Sequence, residues 1–285
     1  MATPTSGPRW RKTLRPGLKG LRSLLIAYLV VVGIAMFLEN RLIFIPTKYP
    51  GGNWRPFGLD FEDAWFQSSD GTRLHGWYVA HPKPLATVLF CHGNAGNVTH
   101  REEMLRGLRN VSGASVLVFD YRGYGRSEGS PNEKGLLADA RAARTWLAQR
   151  TGVPEAQIVL MGESLGGAVA VDLAAEQGAR ALVLDSTFTN LPDVAAYHMP
   201  WLPVRLVMRT RLDAAGKIGR YQGPLLQIHG DGDTVVPYWL GRRLFERANE
   251  PKEFVTTPEG DHNDLRSEAY YKKVREFFEG LGISD

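Results

Sequence analysis

The chain has 285 residues, enough for one large or two modest domains, and its 44% hydrophobic content is ordinary for a protein with a sizeable core. A single cysteine, Cys91, excludes an internal disulfide and the usual cysteine-rich zinc sites, and its place in an apolar run reads as a small buried residue. The net charge of +4 belongs to a tail: Arg9, Arg11, Lys12, Arg15, Lys19 and Arg22 stand there without an acid, and removing these six from 34 leaves 28 basic against 30 acidic residues. No stripe of Lys and Arg interleaved with aromatics runs through the body, so nucleic acid is not an expected partner.

The basic tail (residues 1–20) leads into Leu24–Leu38, a run without charge. Taken as residues 21–38, with Arg22 able to snorkel, it approaches the roughly 20 residues that cross a bilayer. This predicts a single transmembrane anchor. The cations before it place the N-terminus in the cytoplasm and the body on the far side of the membrane. A cleaved signal peptide competes through the small-x-small triplet Gly33-Ile34-Ala35, but bulky Met36-Phe37-Leu38 carries the apolar run past that site.

Residues 39–58, rich in Pro and Gly towards their end, read as a juxtamembrane connector to a domain spanning 59–285. Glu62–Gln67, the turn Ser68–Gly71 and Arg73–Ala80 predict a hairpin. Continuous apolar runs follow at Thr87–Cys91, Ser115–Phe119, Ile158–Met161, Ala181–Leu184 and Leu225–Ile228, with a last strand at Glu253–Thr256. Helical stretches are expected at Val98–Asn110, Lys134–Arg150, Gly167–Ala175, Tyr238–Ala248 and Asp264–Leu281. This alternation predicts an α/β fold with a mostly parallel sheet covered by helices on both faces. Residues 186–223 break the pattern; their length, three prolines and Phe188, Tyr197 and Trp201 suggest an insertion over the strand ends, where open α/β sheets bind ligands.

Gly162-Glu163-Ser164-Leu165-Gly166 stands between an apolar strand and a helix, the context of a nucleophile elbow. Small residues on both sides of the serine let strand and helix approach closely while the hydroxyl stands clear. A serine nucleophile needs a base, and the base an orienting acid, each on a loop after a later strand. His229-Gly230-Asp231-Gly232-Asp233 follows one such strand and Gly260-Asp261-His262 another. Asp231 and Asp233 compete as the acid; the glycines flanking Asp231 suit a turn residue, which favours Asp233. His262 fits the base, His229 a loop-stabilising hydrogen bonder, and Asp261 and Asp264 solvation or capping of the last helix. Two backbone N–H groups should stabilise the oxyanion: that of Leu165, and one from the loop His92–Asn97, Asn94 being preferred to Ala95. His92 precedes the nucleophile in the chain and reads as structural.

His92-Gly93-Asn94-Ala95-Gly96-Asn97, Asp120–Ser127, Gly162–Gly167, His229-Gly230-x-x-Asp233-x-x-Val236-Pro237 and Asp261-His262-Asn263 occur in that order. Over residues 40–280 the chain resembles the membrane-anchored branch of the α/β-hydrolase-domain family, which includes lysophospholipid lipases, protein depalmitoylases and serine peptidase-like hydrolases. The resemblance implies the α/β-hydrolase fold with Ser164 as nucleophile, Asp233 as acid and His262 as base. It gives Asp120–Ser127 a structural role only. The expected activity is cleavage of an ester or thioester, with an acyl lipid favoured as substrate on the strength of the anchor and the apolar insertion. A serine peptidase of the same fold is the alternative, and a non-catalytic membrane-anchored interaction protein is the alternative of another class. No metal or organic cofactor is implied.

Overall fold

The computed structural model describes residues 14–282, so Arg9, Arg11 and Lys12 of the basic tail and the last three residues lie outside the described part. Helix α1 (Leu14–Phe37) carries the apolar run, and its stretch Gly20–Phe37 is long and apolar enough to cross a membrane. Leu24, Leu25, Leu29 and Phe37 are exposed on it, and of this stretch only Val32 is buried. Such an apolar surface around most of a helix is foreign to a water-facing helix. A short helix α2 (Glu39–Ile43) and the two-residue strand β1 (Ile45–Pro46) follow.

The body begins with a hairpin of β2 (Glu62–Gln67) and β3 (Arg73–Val79), then β4 (Ala86–Cys91) and the short β5 (Ala95–Gly96), which pairs with β1 in parallel. Next come α3 (Glu102–Asn110), β6 (Ala114–Asp120), α4 (Glu133–Thr151), β7 (Val159–Glu163), α5 (Leu165–Gln177) and β8 (Leu182–Asp185). Two helices, α6 (Leu191–His198) and α7 (Val204–Val207), interrupt the alternation before β9 (Leu225–Gly230), α8 (Tyr238–Glu246), β10 (Lys252–Thr257) and α9 (Glu268–Gly280). Among the described residues the main sheet has eight strands in the order β10-β9-β8-β7-β4-β6-β3-β2. Only β3 runs antiparallel to its neighbours, so the sheet is mostly parallel, as expected.

Its central strands β4 and β6 are buried at every position, and largely apolar, because both faces are covered. Successive side chains alternate between the faces. Leu89, Leu117 and Leu160 point towards α4 and α5, while Val88, Phe90, Val116, Val118 and Met161 point towards α3 and α9. Full burial of one such side chain contributes about 1.5–3 kcal/mol. Local chemistry sets the helix ends. The Asn132 side chain accepts the Gly135 N–H at 2.9 Å to start α4, and Gly152, at φ 73°, ends it in the left-handed region.

Two helix starts lie several residues from the sequence expectation. The stretch Val98–Asn110 is a 3-10 turn (Val98–Arg101) followed by α3, because the Asn97 side chain accepts the Thr99 N–H at 3.0 Å and tightens the first turn. The last helix starts at Glu268, capped by Ser267, rather than at Asp264. Neither nearby acid caps it. The Asp264 carboxylate accepts the Asp261 N–H at 2.8 Å, and Asp261 accepts the Thr234 N–H at 2.8 Å, so both hold the loop that carries His262.

The segment 186–223 is pinned at two acids. Glu133, at the start of α4, accepts the N–H groups of Arg211 and Leu212 at 2.7 and 2.9 Å. Glu39, in α2, accepts those of Arg209 and Thr210 at 3.0 and 2.6 Å. Arg209 also donates to the Met36 carbonyl at 2.8 Å, and Tyr28 to the Trp201 carbonyl at 3.0 Å, which joins the apolar helix to the insertion.

Candidate active site

Ser164 sits between β7 and α5 at φ 52° and ψ −119°, a backbone conformation costly for any residue with a side chain. The turn is held by its surroundings. The Ser164 N–H donates to the Asp185 carbonyl at 2.8 Å, and Thr187 Oγ1 donates to the Ser164 carbonyl at 3.2 Å. A Cβ on Gly162 would collide with the Gly166 carbonyl, and one on Gly166 with the carbonyl of Cys91 on the next strand. The strand and helix therefore meet at a distance that only glycine permits. Leu165 is the first residue of α5, so its N–H has no intrahelical acceptor and faces outward at the positive end of the helix.

The loop after β9 carries Asp233, whose side chain is fully buried. Its Oδ1 accepts the N–H groups of Val235 and Val236 at 2.9 and 2.7 Å, and its Oδ2 lies 2.7 Å from His262 Nδ1. Burial alone would push this carboxyl up, but hydrogen bonds from His229 and His262, the nearby His262 charge and the Val236 N–H outweigh it and hold the group below the usual carboxylate range. His229 lies 3.2 Å from the same oxygen through Nε2, which also meets the Val236 carbonyl at 3.0 Å; it braces the acid loop. Asp231 accepts the Glu259 N–H at 2.6 Å and ties that loop to the one bearing His262.

A cleft of about 410 Å³ is lined by Ser164, Leu165, His262 and Asn94, with Phe188 and Leu191 on its apolar side. The volume falls in the range of about 300–1,000 Å³ usual for small-molecule sites. The Asn94 side chain is consumed by structure: its amide donates to the Ile43 carbonyl, and its carbonyl accepts from Tyr124 Oη at 2.9 Å. Among the described residues the Asn94 backbone N–H meets no acceptor. His92 is buried, bonded to the Gly93 carbonyl through Nδ1 at 2.7 Å and packed on Tyr121. Burial, helped by the charge of Arg101, brings it down to about 3, so it stays neutral at physiological pH.

The stretch Asp120–Ser127 lies beside the site and serves structure. Arg122 clamps Asp139 at 2.7 Å and Asp70 at 2.8 Å, and Ser127 Oγ donates to the Asp120 carbonyl at 2.6 Å. Sequence reasoning missed the floor under Ser164. Arg266 donates to the buried Asp185 at 2.7 Å, and Glu163 lies 3.6 Å from Arg266 and 3.7 Å from Arg101. The only signal was the charge at Glu163 inside the elbow. Among the described residues no three His, Cys, Asp or Glu side chains gather to hold a metal ion.

A family model described as the alpha/beta hydrolase fold matches residues 86–213. The chain is 43% identical to the Mycobacterium tuberculosis protein Rv2307c over 247 residues, covering 84% of this chain and 86% of that one. It is 34% identical over 282 residues to the Arabidopsis thaliana alpha/beta hydrolase domain-containing protein WAV2, covering 88% and 91% of the two chains. The Pyrococcus furiosus esterase Pf2001 superposes with a TM-score of 0.68 at 23% identity, over 84% of this chain and 97% of that one, a likeness of fold. The chain belongs to the alpha/beta hydrolase family.

Proposed function

We propose that this protein is a membrane-anchored serine hydrolase that cleaves a carboxylic ester or thioester through an acyl-enzyme. The observation that carries the reading is the 2.7 Å bond between His262 Nδ1 and Asp233, set beside a serine at positive φ in one cleft. The proposed roles follow from the atoms. As Ser164 Oγ attacks the acyl carbonyl, its proton passes to His262 Nε2. The imidazolium donates from Nδ1 to Asp233, which fixes the tautomer and stabilises the charge. The carbonyl oxygen, now an oxyanion, takes hydrogen bonds from the N–H groups of Leu165 and Asn94. His262 then protonates the departing alkoxide or thiolate, leaving the acyl group on Ser164. Water gives a proton to His262 and attacks the acyl-enzyme, and collapse returns the proton to Ser164 and releases the acid.

Fluorophosphonate labelling tests the nucleophile: the wild type reacts and Ser164→Ala does not. Equal labelling of the two would sink the assignment.

The anchoring half of the proposal rests on residues 21–38. With the basic tail cytoplasmic, the catalytic domain stands on the non-cytoplasmic side, where an acylated, lipid-like ester or thioester is the fitting substrate. Alkaline carbonate washing of membranes tests the anchor. Release of the intact chain into the supernatant would refute it.

A further inference from the structure

Beside the cleft that holds Ser164 lies a second cavity of about 220 Å³, walled on one side by Val32, Ala35 and Met36 of α1 and on the other by Ala195, Met199 and Val207 of the insertion. The two spaces are neighbours: Asn94, Leu191 and Val194 line both. We propose that this second cavity receives the acyl chain of a long-chain ester, making the apolar N-terminal helix one wall of the substrate site. The proposal rests on the hydrolase reading above and names its substrate class.

Polarity selects the occupant. Among the described residues Glu39 is the one charged residue lining the cavity, and its carboxylate is already engaged by the Arg209 and Thr210 N–H groups. The Asn94 side chain is likewise spent on Ile43 and Tyr124. A polar occupant would lose its water there without finding partners, whereas an alkyl chain loses nothing. Shape points the same way. A helix with side chains is about 10 Å across, too wide for a space of this size, while a single hydrocarbon chain is slender.

The lining residues also set the direction of entry. Val32, Ala35, Met36 and Glu39 recur at the spacing of one helix face, and that face meets the insertion. Leu25 and Leu29 continue that face towards the N-terminus, while Val30 and Ile34 are exposed on the opposite side of the helix. A chain lying along this face thus passes from the lipid-facing part of α1 to the cleft without crossing water. At the other end of the cleft His100, Arg101, Glu163 and Asn263 form a polar wall. An amphipathic ester then lies with its acyl chain towards α1 and its polar leaving group towards Arg101.

The test uses the full-length protein in nanodiscs with p-nitrophenyl butyrate and laurate. Each methylene reaching the cavity is worth about a fourfold preference, so the wild type favours laurate. Ala35→Phe and Ala195→Phe fill the cavity from opposite walls and lower the laurate-to-butyrate ratio of kcat/KM by about tenfold or more. Ile34→Phe, on the outward face, leaves that ratio where it was. An unchanged ratio in both cavity variants, with fluorophosphonate labelling intact, would overturn the proposal. A diazirine-bearing palmitic acid on Ser164→Ala protein reads the site without catalysis. Adducts at Met36, Met199 or Met208 are expected; adducts confined to outward residues such as Val30 and Ile34 would also overturn it. If the wild type cleaves neither ester, the hydrolase reading fails separately and the photolabel still decides the cavity.

Discussion

Replacing Asp233 with asparagine keeps the side chain's shape and changes what it can accept. In the native site Oδ1 takes the Val235 and Val236 N–H groups and Oδ2 faces His262 Nδ1 at 2.7 Å. An amide must turn its NH2 to one of these two sides. Facing the loop, it meets two N–H donors and breaks both bonds. Facing His262, it forces Nδ1 to accept and places the ring proton on Nε2, where the base is needed. The second arrangement keeps the loop and loses the chemistry. A base held in the wrong tautomer costs about ten-thousandfold in rate, or about 5 kcal/mol of transition-state stabilisation. Exchanging the charged acceptor for a neutral one weakens the retained bonds, at a cost of about 1 kcal/mol of stability. Because the folded site holds the Asp233 carboxyl below its ordinary range, the charged form is favoured by folding. That contribution is complete above pH ~4 and is lost as pH falls further, so the stability gap between wild type and Asp233→Asn narrows in acid. The assays are kcat/KM on p-nitrophenyl butyrate and urea midpoints between pH 3 and 8. A folded variant retaining more than about a tenth of the wild-type kcat/KM would refute the role given to Asp233.

Gly166→Ala drives a methyl group into the Cys91 carbonyl and is expected to cost about 3 kcal/mol and slow fluorophosphonate labelling, read by denaturant midpoint and labelling rate. Arg266→Met leaves Asp185 buried without its 2.7 Å partner and should destabilise the fold by about 3–5 kcal/mol, measured by urea unfolding. Glu39→Gln weakens the join between α2 and the insertion. Burial pushes the Glu39 carboxyl up, but the Thr210 and Arg209 N–H groups outweigh it and hold it low. The variant should therefore melt below wild type at pH 7, by a gap that closes as pH falls below about 4 in thermal scans.

Much of the fold is legible in the sequence because its central strands are buried on both faces. Val88–Cys91 and Val159–Met161 are continuous apolar runs, and that pattern carries the sheet order's parallel character without further help. The serine elbow is legible for a steric reason, since the glycines at 162 and 166 stand where a Cβ would strike backbone. The proposed acid is harder to read, because Asp231 and Asp233 share a loop; the carboxylate that reaches His262 is that of Asp233, a contact 29 positions away in the chain. The floor beneath Ser164 was illegible for the same reason: Arg266 and Asp185 are 81 positions apart. Nor does any periodicity announce that the two residues Ile45 and Pro46 form a strand. Short elements like this one, and α7 in the insertion, are fixed by their partners rather than by their own composition.

The pairing of β1 with β5 makes the apolar helix a mechanical neighbour of the loop proposed to bind the oxyanion. Ile45 and Pro46 hold Ala95 and Gly96 in register, while the Asn94 amide grips the Ile43 carbonyl two residues nearer the helix. Tension or tilt at α1 is thus delivered to the backbone of residues 94–96 through a lever only a few residues long. A chain shortened to begin at residue 59 loses that lever together with the strand that shapes the loop. One shortened to begin at residue 39 retains both, so the solubilised form worth making is cut on the helix side of Glu39.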